Sequence, residues 1–197
     1  MPAAKLKWEP AAFDWWYKRL PAQKRRVVWE DTKAEHRKLY LERETFLAFA
    51  DASGLDIDPR SIENCDPNAA APSLPDIRCL VSGQEHFFEL GEVVDEDLAR
   101  TASVAAKNRE HVYGGAVSQT QPLVRIFLKK CRSRYTVNGR PLHLVLYFSV
   151  GHQSPIEPLL FPDIAKWRGR LVERIGKSQF DTVWLYDDWK KRILEKL

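Results

Sequence analysis

Residues 75–95 read PDIRCLVSGQEHFFELGEVVD, two largely apolar runs separated by Ser82-Gly83. This is the pattern of a β-hairpin with a short glycine-containing turn. Three of its acidic residues, Asp76, Glu89 and Glu92, nevertheless stand where hydrophobic side chains would be expected. A two-residue turn at Ser82-Gly83 pairs Val81 with Gln84 and, counting outward, sets Asp76 opposite Glu89. Directly opposed antiparallel residues have Cβ atoms about 4.5–5.5 Å apart on one face, so two carboxylates there repel unless a positive group lies between them. A three-residue turn, Ser82-Gly83-Gln84, would pair Asp76 with Leu90 and dissolve the arrangement. Phe87 shares the face of Glu89, and Phe88 and Leu90 occupy the other, so the sequence predicts a half-buried acid that needs a partner.

A hard divalent cation, Mg²⁺ or Mn²⁺, meets that need. Such an ion takes oxygen ligands and is commonly held by one or two carboxylates plus water and a substrate phosphate. Bound beside phosphate, it stabilises charge developing at phosphorus and lowers the pKa of a bound water. The expected ligands are Asp76, Glu89 and the backbone carbonyl of Leu90, one residue further along the strand. The competing structural reading makes Asp76 a turn acid and leaves Glu89 on an exposed sheet face.

Upstream, residues 31–52 carry a helical apolar period, with Asp31-Thr32 as the expected cap and a stop near Gly54. The apolar direction runs through Leu39, Phe46 and Ala50. Glu42 falls about 80° from it and Glu44 about 120°. Glu42 is therefore expected at the edge of the buried face, as a further ligand or water-orienting base, and Glu44 in solvent.

The composition sets the outer bounds. A chain of 197 residues with 44% hydrophobic side chains can bury a real core and suits one domain. We divide it into a basic aromatic lead-in over residues 1–30, cut by Pro10 and Pro21, and an α/β domain over 31–197. In the lead-in Trp8, Trp15, Trp16, Tyr17 and Trp29 alternate with lysines and arginines, a mixture that suits either nucleic-acid stacking or rings packed on the domain with charges in water. No run reaches the roughly 18 apolar residues of a membrane span, and no secretory leader is visible, so a cytoplasmic location is expected. Cys65, Cys79 and Cys131 are too few and scattered for a disulfide framework or zinc site, and His143 reads as a core residue. No G-x-S-x-G elbow or Cys/His pairing points to a serine or cysteine hydrolase.

Charge is strongly segregated. Residues 1–40 carry a net +5, 41–100 a net −10, 101–150 a net +7 and 151–197 a net +2. An acidic middle between basic flanks can place a cation site beside a polyanion surface. Arg125, Lys129, Arg132 and Arg134 on the helix from Pro122 to Tyr135 are the candidate phosphate contacts. The remaining pattern predicts a helix over 95–112 broken at Gly114-Gly115, a central strand at 142–150 and a helix over 163–175. A strand at 180–186 and a capped helix over DDWKKRILEKL complete it. The fold class is a mixed α/β (α+β) sheet with helices on its faces.

Pro75-Asp76, the turn, and then Glu89-Leu90-Gly91 resemble the PD-(D/E)XK, restriction-endonuclease-like, nuclease superfamily. The resemblance covers roughly residues 31–150. It implies an α-β-β-β-α-β core with the acidic pair on a hairpin, a preceding helix bearing a glutamate, and metal-dependent hydrolysis of DNA or RNA phosphodiesters. Asp76 matches the family Asp, Glu89 the second acid and Glu42 the helix glutamate. The departure is Gly91, where the family has the lysine that activates water and offsets transition-state charge. Lys107, Lys129 and Lys130 lie on following helices, and Lys130, which shares a face with Phe127, is the first choice to replace it. If no lysine amine reaches the Asp76–Glu89 site, the alternative is a catalytically inactive module that binds nucleic acid or protein.

Overall fold

The computed structural model describes residues 13–14, 17–65, 74–94, 122–149 and 164–197. The helix and glycine pair read over 95–115, together with Pro10, Trp8, Trp15, Trp16 and Lys107, lie outside the described residues.

LHLVLYF, Leu142–Phe148, is apolar at nearly every position, which suits a strand covered on both faces. It forms β4 of a six-stranded sheet in the order β1-β2-β3-β4-β5-β6. The other strands are β1 (Glu63–Asn64), β2 (Ile77–Val81), β3 (Gln84–Glu92), β5 (Thr182–Asp187) and β6 (Arg192–Lys196). β1, β2 and β3 are antiparallel, β3, β4 and β5 run parallel, and β6 returns antiparallel to β5. The α-helices among the described residues are α1 (Ala22–Asp31), α2 (Ala34–Ser53), α3 (Pro122–Arg132) and α4 (Ile164–Ile175).

Period-two alternation sorts the strand side chains into two cores. Leu142, Leu144, Leu146 and Phe148 of β4, with Val183 and Leu185 of β5, pack against Leu123 and Phe127 of α3 and Leu171 of α4. On the other face Phe88, Leu90, Val145, Trp184 and Tyr186 meet Phe46 and Phe49 of α2. Phe46 is fully buried and its ring centroid lies 4.8 Å from that of Phe88. Helices α3 and α4 thus cover one face and α2 the other.

α2 ends where expected, at Gly54 in the left-handed region with φ of 68°, a conformation that costs glycine nothing. Its beginning differs from the expected one. Asp31 is the last residue of α1, Thr32 donates its hydroxyl to the Val28 carbonyl, and α2 starts only after Lys33. Among the described residues of the lead-in, Phe13, Tyr17 and Trp29 gather around Tyr40, with centroid separations of 5.4, 6.0 and 5.7 Å.

DDWKKRILEKL is not a helix. Asp187 Oδ1 accepts the Lys190 backbone N–H at 3.0 Å, Lys191 turns at φ 49°, and Arg192–Lys196 become the edge strand β6. An aspartate that accepts an N–H three residues on serves a tight turn as well as a helix cap. The open edge of β5 decides between them by pairing with the segment, which puts Ile193 in one core and Leu194 in the other.

The three cysteines are free. His143 sits at the sheet with its ring stacked on His86, Nε2 lying 2.8 Å from His86 Nδ1. Burial, with a smaller contribution from His86, holds its pKa down at about 4. Its Nδ1 is buried without a hydrogen-bond partner. No helix among the described residues is long and apolar enough to cross a membrane.

Replacing Phe46 by Ala removes a ring from the joint of α2 and the sheet and should lower unfolding free energy by about 3–5 kcal/mol in urea titration. Val172→Ser, on the exposed side of α4, should stay within about 0.5 kcal/mol of the parent.

Candidate functional site

The hairpin takes the two-residue turn. Ser82 and Gly83 have φ of 49° and 79°, the signature of a type I′ turn, and the ladder runs from Val81–Gln84 to Ile77–Phe88. Asp76 lies one residue beyond the ladder. Its Oδ2 accepts the Leu90 backbone N–H at 2.8 Å, and its carbonyl accepts the N–H of Cys65 at 2.9 Å. Asp76 is thereby fastened across from Glu89 and Leu90, as the turn requires.

Glu89 is only 6% exposed, deeper than the half-buried position expected from sequence. Its pKa is raised by burial and by Asp76, and pulled back by its ion pair with Lys130. The Lys130 amine donates to Glu89 Oε1 from α3, and the Tyr135 hydroxyl is a second hydrogen-bond neighbour. A charge pair this deep is held by its geometry, because removing one partner would strand the other.

Gly91 explains how α3 comes so near. A Cβ on Gly91 would stand 2.8 Å from Leu146 Cδ2, 3.3 Å from Ile126 Cγ2 and 3.7 Å from Lys130 Cε. Leu146 of β4 and Ile126 of α3 occupy the volume that a side chain at position 91 would fill, and α3 delivers the Lys130 amine to Glu89.

Glu42 is 9% exposed on the inner edge of α2 and pairs with Lys38 Nζ at 3.1 Å, one helical turn back. Burial first, and then Asp76, push its pKa up to about 7, with Lys38 acting in the opposite direction. Burial alone would lower the Lys38 amine, but Glu42, Asp76 and Glu89 together leave it above its ordinary value. These cross-influences place Lys38, Glu42, Asp76 and Glu89 in one electrostatic neighbourhood. Glu44, expected in solvent, is partly covered and pairs with Lys18 at 2.9 Å.

A cleft of about 560 Å³ opens over this group, lined by residues that include Asp76, Glu42, Lys38, Arg37, Trp29, Leu90, Lys130 and Tyr147. Glu92 at the end of β3 and Tyr147 near the end of β4 place it at the carboxyl end of the parallel strands. Arg37, Lys38 and Tyr147 are not marked out by the sequence as site residues, and Trp29 is marked only as one ring of the lead-in. Lys38 is within reach of sequence alone, since Lys38 and Glu42 are an i, i+4 pair on the helix already singled out.

The candidate phosphate-binding arginines do not line the cleft. Measured around α3 from Lys130, Lys129 is turned by about 100°, Arg125 by about 140° and Arg132 by about 160°. Lys129, Arg132 and Arg134 are exposed, while Arg125 donates to the Val94 carbonyl at 3.3 Å. The cations that the cleft itself presents are Arg37, Lys38 and Lys130. Among the described residues no three His, Cys, Asp or Glu side chains form a cluster that could hold a metal ion.

Comparison with protein-family models, curated proteins and solved structures finds no match for this chain.

Two measurements follow from the geometry. The native state keeps a proton on Glu42 up to a pH of about 7, whereas the unfolded chain releases it near 4.5. Stability should therefore fall as pH rises through that window. Melting-temperature profiles should show this slope, and Glu42→Gln should flatten it. Gly91→Ala should cost about 1–3 kcal/mol in denaturant titration, as overpacking does in a filled core, because the Leu146 side chain of β4 and Ile126 of α3 must both give way.

Proposed function

We propose that this chain has a restriction-endonuclease-like fold and is a divalent-metal-dependent nuclease that hydrolyses phosphodiester bonds of DNA or RNA. One observation carries the reading: Lys130 places its amine on Glu89 beside Asp76, over the position where the family motif asks for lysine and this chain has Gly91. A lysine within hydrogen-bonding reach is the feature that separates an enzyme from an inactive relative. The order α2, β1, β2, β3, α3, β4 supports the same reading, since it follows the α-β-β-β-α-β core expected from the resemblance.

The donor chemistry fits a hard cation. Asp76, Glu89 and Glu42 offer oxygen only, and burial and mutual repulsion raise the pKa values of Glu42 and Glu89. Mg²⁺ or Mn²⁺ needs no three-carboxylate cluster, because one or two carboxylates with water and phosphate suffice. Asp76, Glu89 and the Leu90 carbonyl would hold it, and when bound it supplies charge stabilisation at the phosphate and a more acidic water.

The protein's own groups have distinct tasks in this reading. The Leu90 N–H orients the Asp76 carboxylate. Lys130 and Tyr135 orient Glu89, and the ammonium of Lys130 offsets negative charge as it accumulates on the phosphate. Glu42, with its pKa near 7, is matched to accept a proton from water close to neutral pH. Lys38 keeps the Glu42 carboxylate directed into the cleft.

Mg²⁺ should raise the melting temperature of the wild type, since a ligand bound only by the native state stabilises it. Asp76→Ala and Glu89→Ala should lose both that shift and cleavage of single- and double-stranded substrates. Lys130→Gln should keep the shift but lower cleavage by about 10²–10³-fold, as loss of one transition-state charge contact does. A Mg²⁺ shift without cleavage in the wild type would replace this reading with that of a catalytically silent metal-binding module. Neither effect in folded protein would remove both.

A further inference from the structure

Resting on the nuclease reading of the cleft, we propose that its substrate is single-stranded nucleic acid, with a base stacked on a platform made by Trp29 and Arg37. Both residues line the cleft that holds Asp76, Glu42 and Lys130. The Arg37 guanidinium lies over the Trp29 ring, 5.9 Å from its centroid, and Arg37 Nη1 donates to the Trp29 carbonyl at 3.1 Å. The ring itself is braced at its edge by Tyr40, 5.7 Å away at 70°, and by Tyr17. A guanidinium held over a braced indole presents an aromatic ring and a positive charge together.

Such a surface recognises what duplexes conceal. Unpaired bases stack on aromatic rings and guanidinium planes, and the stacking tolerates any sequence because every base has a π-face. In a duplex those faces are already covered by neighbouring pairs. The size of the cleft agrees: about 560 Å³ falls in the range that encloses a small ligand, a nucleotide or two. A duplex would instead need a broad basic surface, and the exposed basic residues of α3 face away from the cleft.

The charges complete the match. Lys38 and Lys130, each also paired with a carboxylate, line the same cleft as the platform and would meet the backbone phosphates, while Glu42 and Asp76 mark the place of hydrolysis. A strand with its phosphate at Lys130 brings an adjacent base toward the wall formed by α1 and α2. Trp29 and Arg37 are thus specificity-determining residues, separate in role from Asp76, Glu89 and Lys130.

The test is binding and cleavage of a labelled short oligothymidine and of a hairpin duplex of equal length. Binding is read in Ca²⁺ and in chelator, cleavage in Mg²⁺, and salt is varied. The wild type should bind the oligothymidine at least tenfold tighter than the hairpin and quench tryptophan fluorescence. Trp29→Ala should lose about tenfold in affinity, the weight of one stacked base. Its KM should rise more than its kcat falls. Trp29→Phe, which keeps a ring beside Tyr40, should retain most of the affinity. Arg37→Gln should weaken binding and lower the salt slope by about one; these two variants decide the matter if Trp29→Ala does not fold. Equal affinity for the two substrates, no binding of either, or unchanged affinity in Trp29→Ala and Arg37→Gln overturns the inference. Tight oligothymidine binding without cleavage leaves the platform standing and removes the hydrolysis reading. Cleavage of both substrates alike, insensitive to Trp29, does the reverse.

Discussion

The close approach of α3 to β3 over Gly91 governs the candidate site. A Cβ there would stand 2.8 Å from the Leu146 side chain of β4 and 3.3 Å from Ile126 of α3, so glycine lets the helix and the neighbouring strand close over this point without displacement. Settled there, α3 buries Leu123 and Phe127 against the sheet and sets Lys130 on Glu89. One missing side chain thus serves packing and electrostatics together. A lysine on the strand and a lysine on the helix compete for the same volume beside Glu89, and this chain places it on the helix.

The acids around that contact are only partly compensated. Lys130 answers Glu89 and Lys38 answers Glu42, yet burial and Asp76 still leave both carboxyls above their ordinary pKa range. Perturbed carboxyls of this kind occur in structural ion-pair networks as well as at functional sites, and here the residual strain comes from burial and from Asp76. The strain also has a structural guard. Asp76 is tied by its side chain to Leu90 and by its backbone to Cys65, so repulsion cannot swing it away from Glu89.

The sheet supplies the frame. Parallel strands β3, β4 and β5 end together, and in open α/β sheets the carboxyl ends of strands are where loops and helix edges leave a crevice. Here α2 closes that crevice from one face and Lys130 of α3 enters it from the other. The lead-in aromatics, Phe13 and Tyr17, pack on Tyr40 and steady Trp29. Trp29, read in sequence as part of the basic aromatic lead-in, becomes part of the cleft lining.

Local chemistry by itself determined the hairpin. Ser82-Gly83 admits positive φ, that turn sets the register, and the register brings Asp76 to the Glu89–Leu90 pair. The helical period likewise put Glu42 on the buried edge of α2, and the apolar run at 142–148 declared a strand covered on both faces. Tertiary structure decided the rest, wherever two local solutions were equally good. Asp187 can cap a helix or close a turn, and the unpaired edge of β5 chose the turn and made Arg192–Lys196 a strand. Asp31 and Thr32 can begin a helix or end one, and the ring cluster around Tyr40 goes with a break between α1 and α2. Which lysine meets Glu89, and that Trp29 and Arg37 share its cleft, depends on the distance between helices far apart in the chain. That distance is set by the volumes filling the space between them, and Gly91 shows its meaning only when Leu146, Ile126 and Lys130 are seen around it.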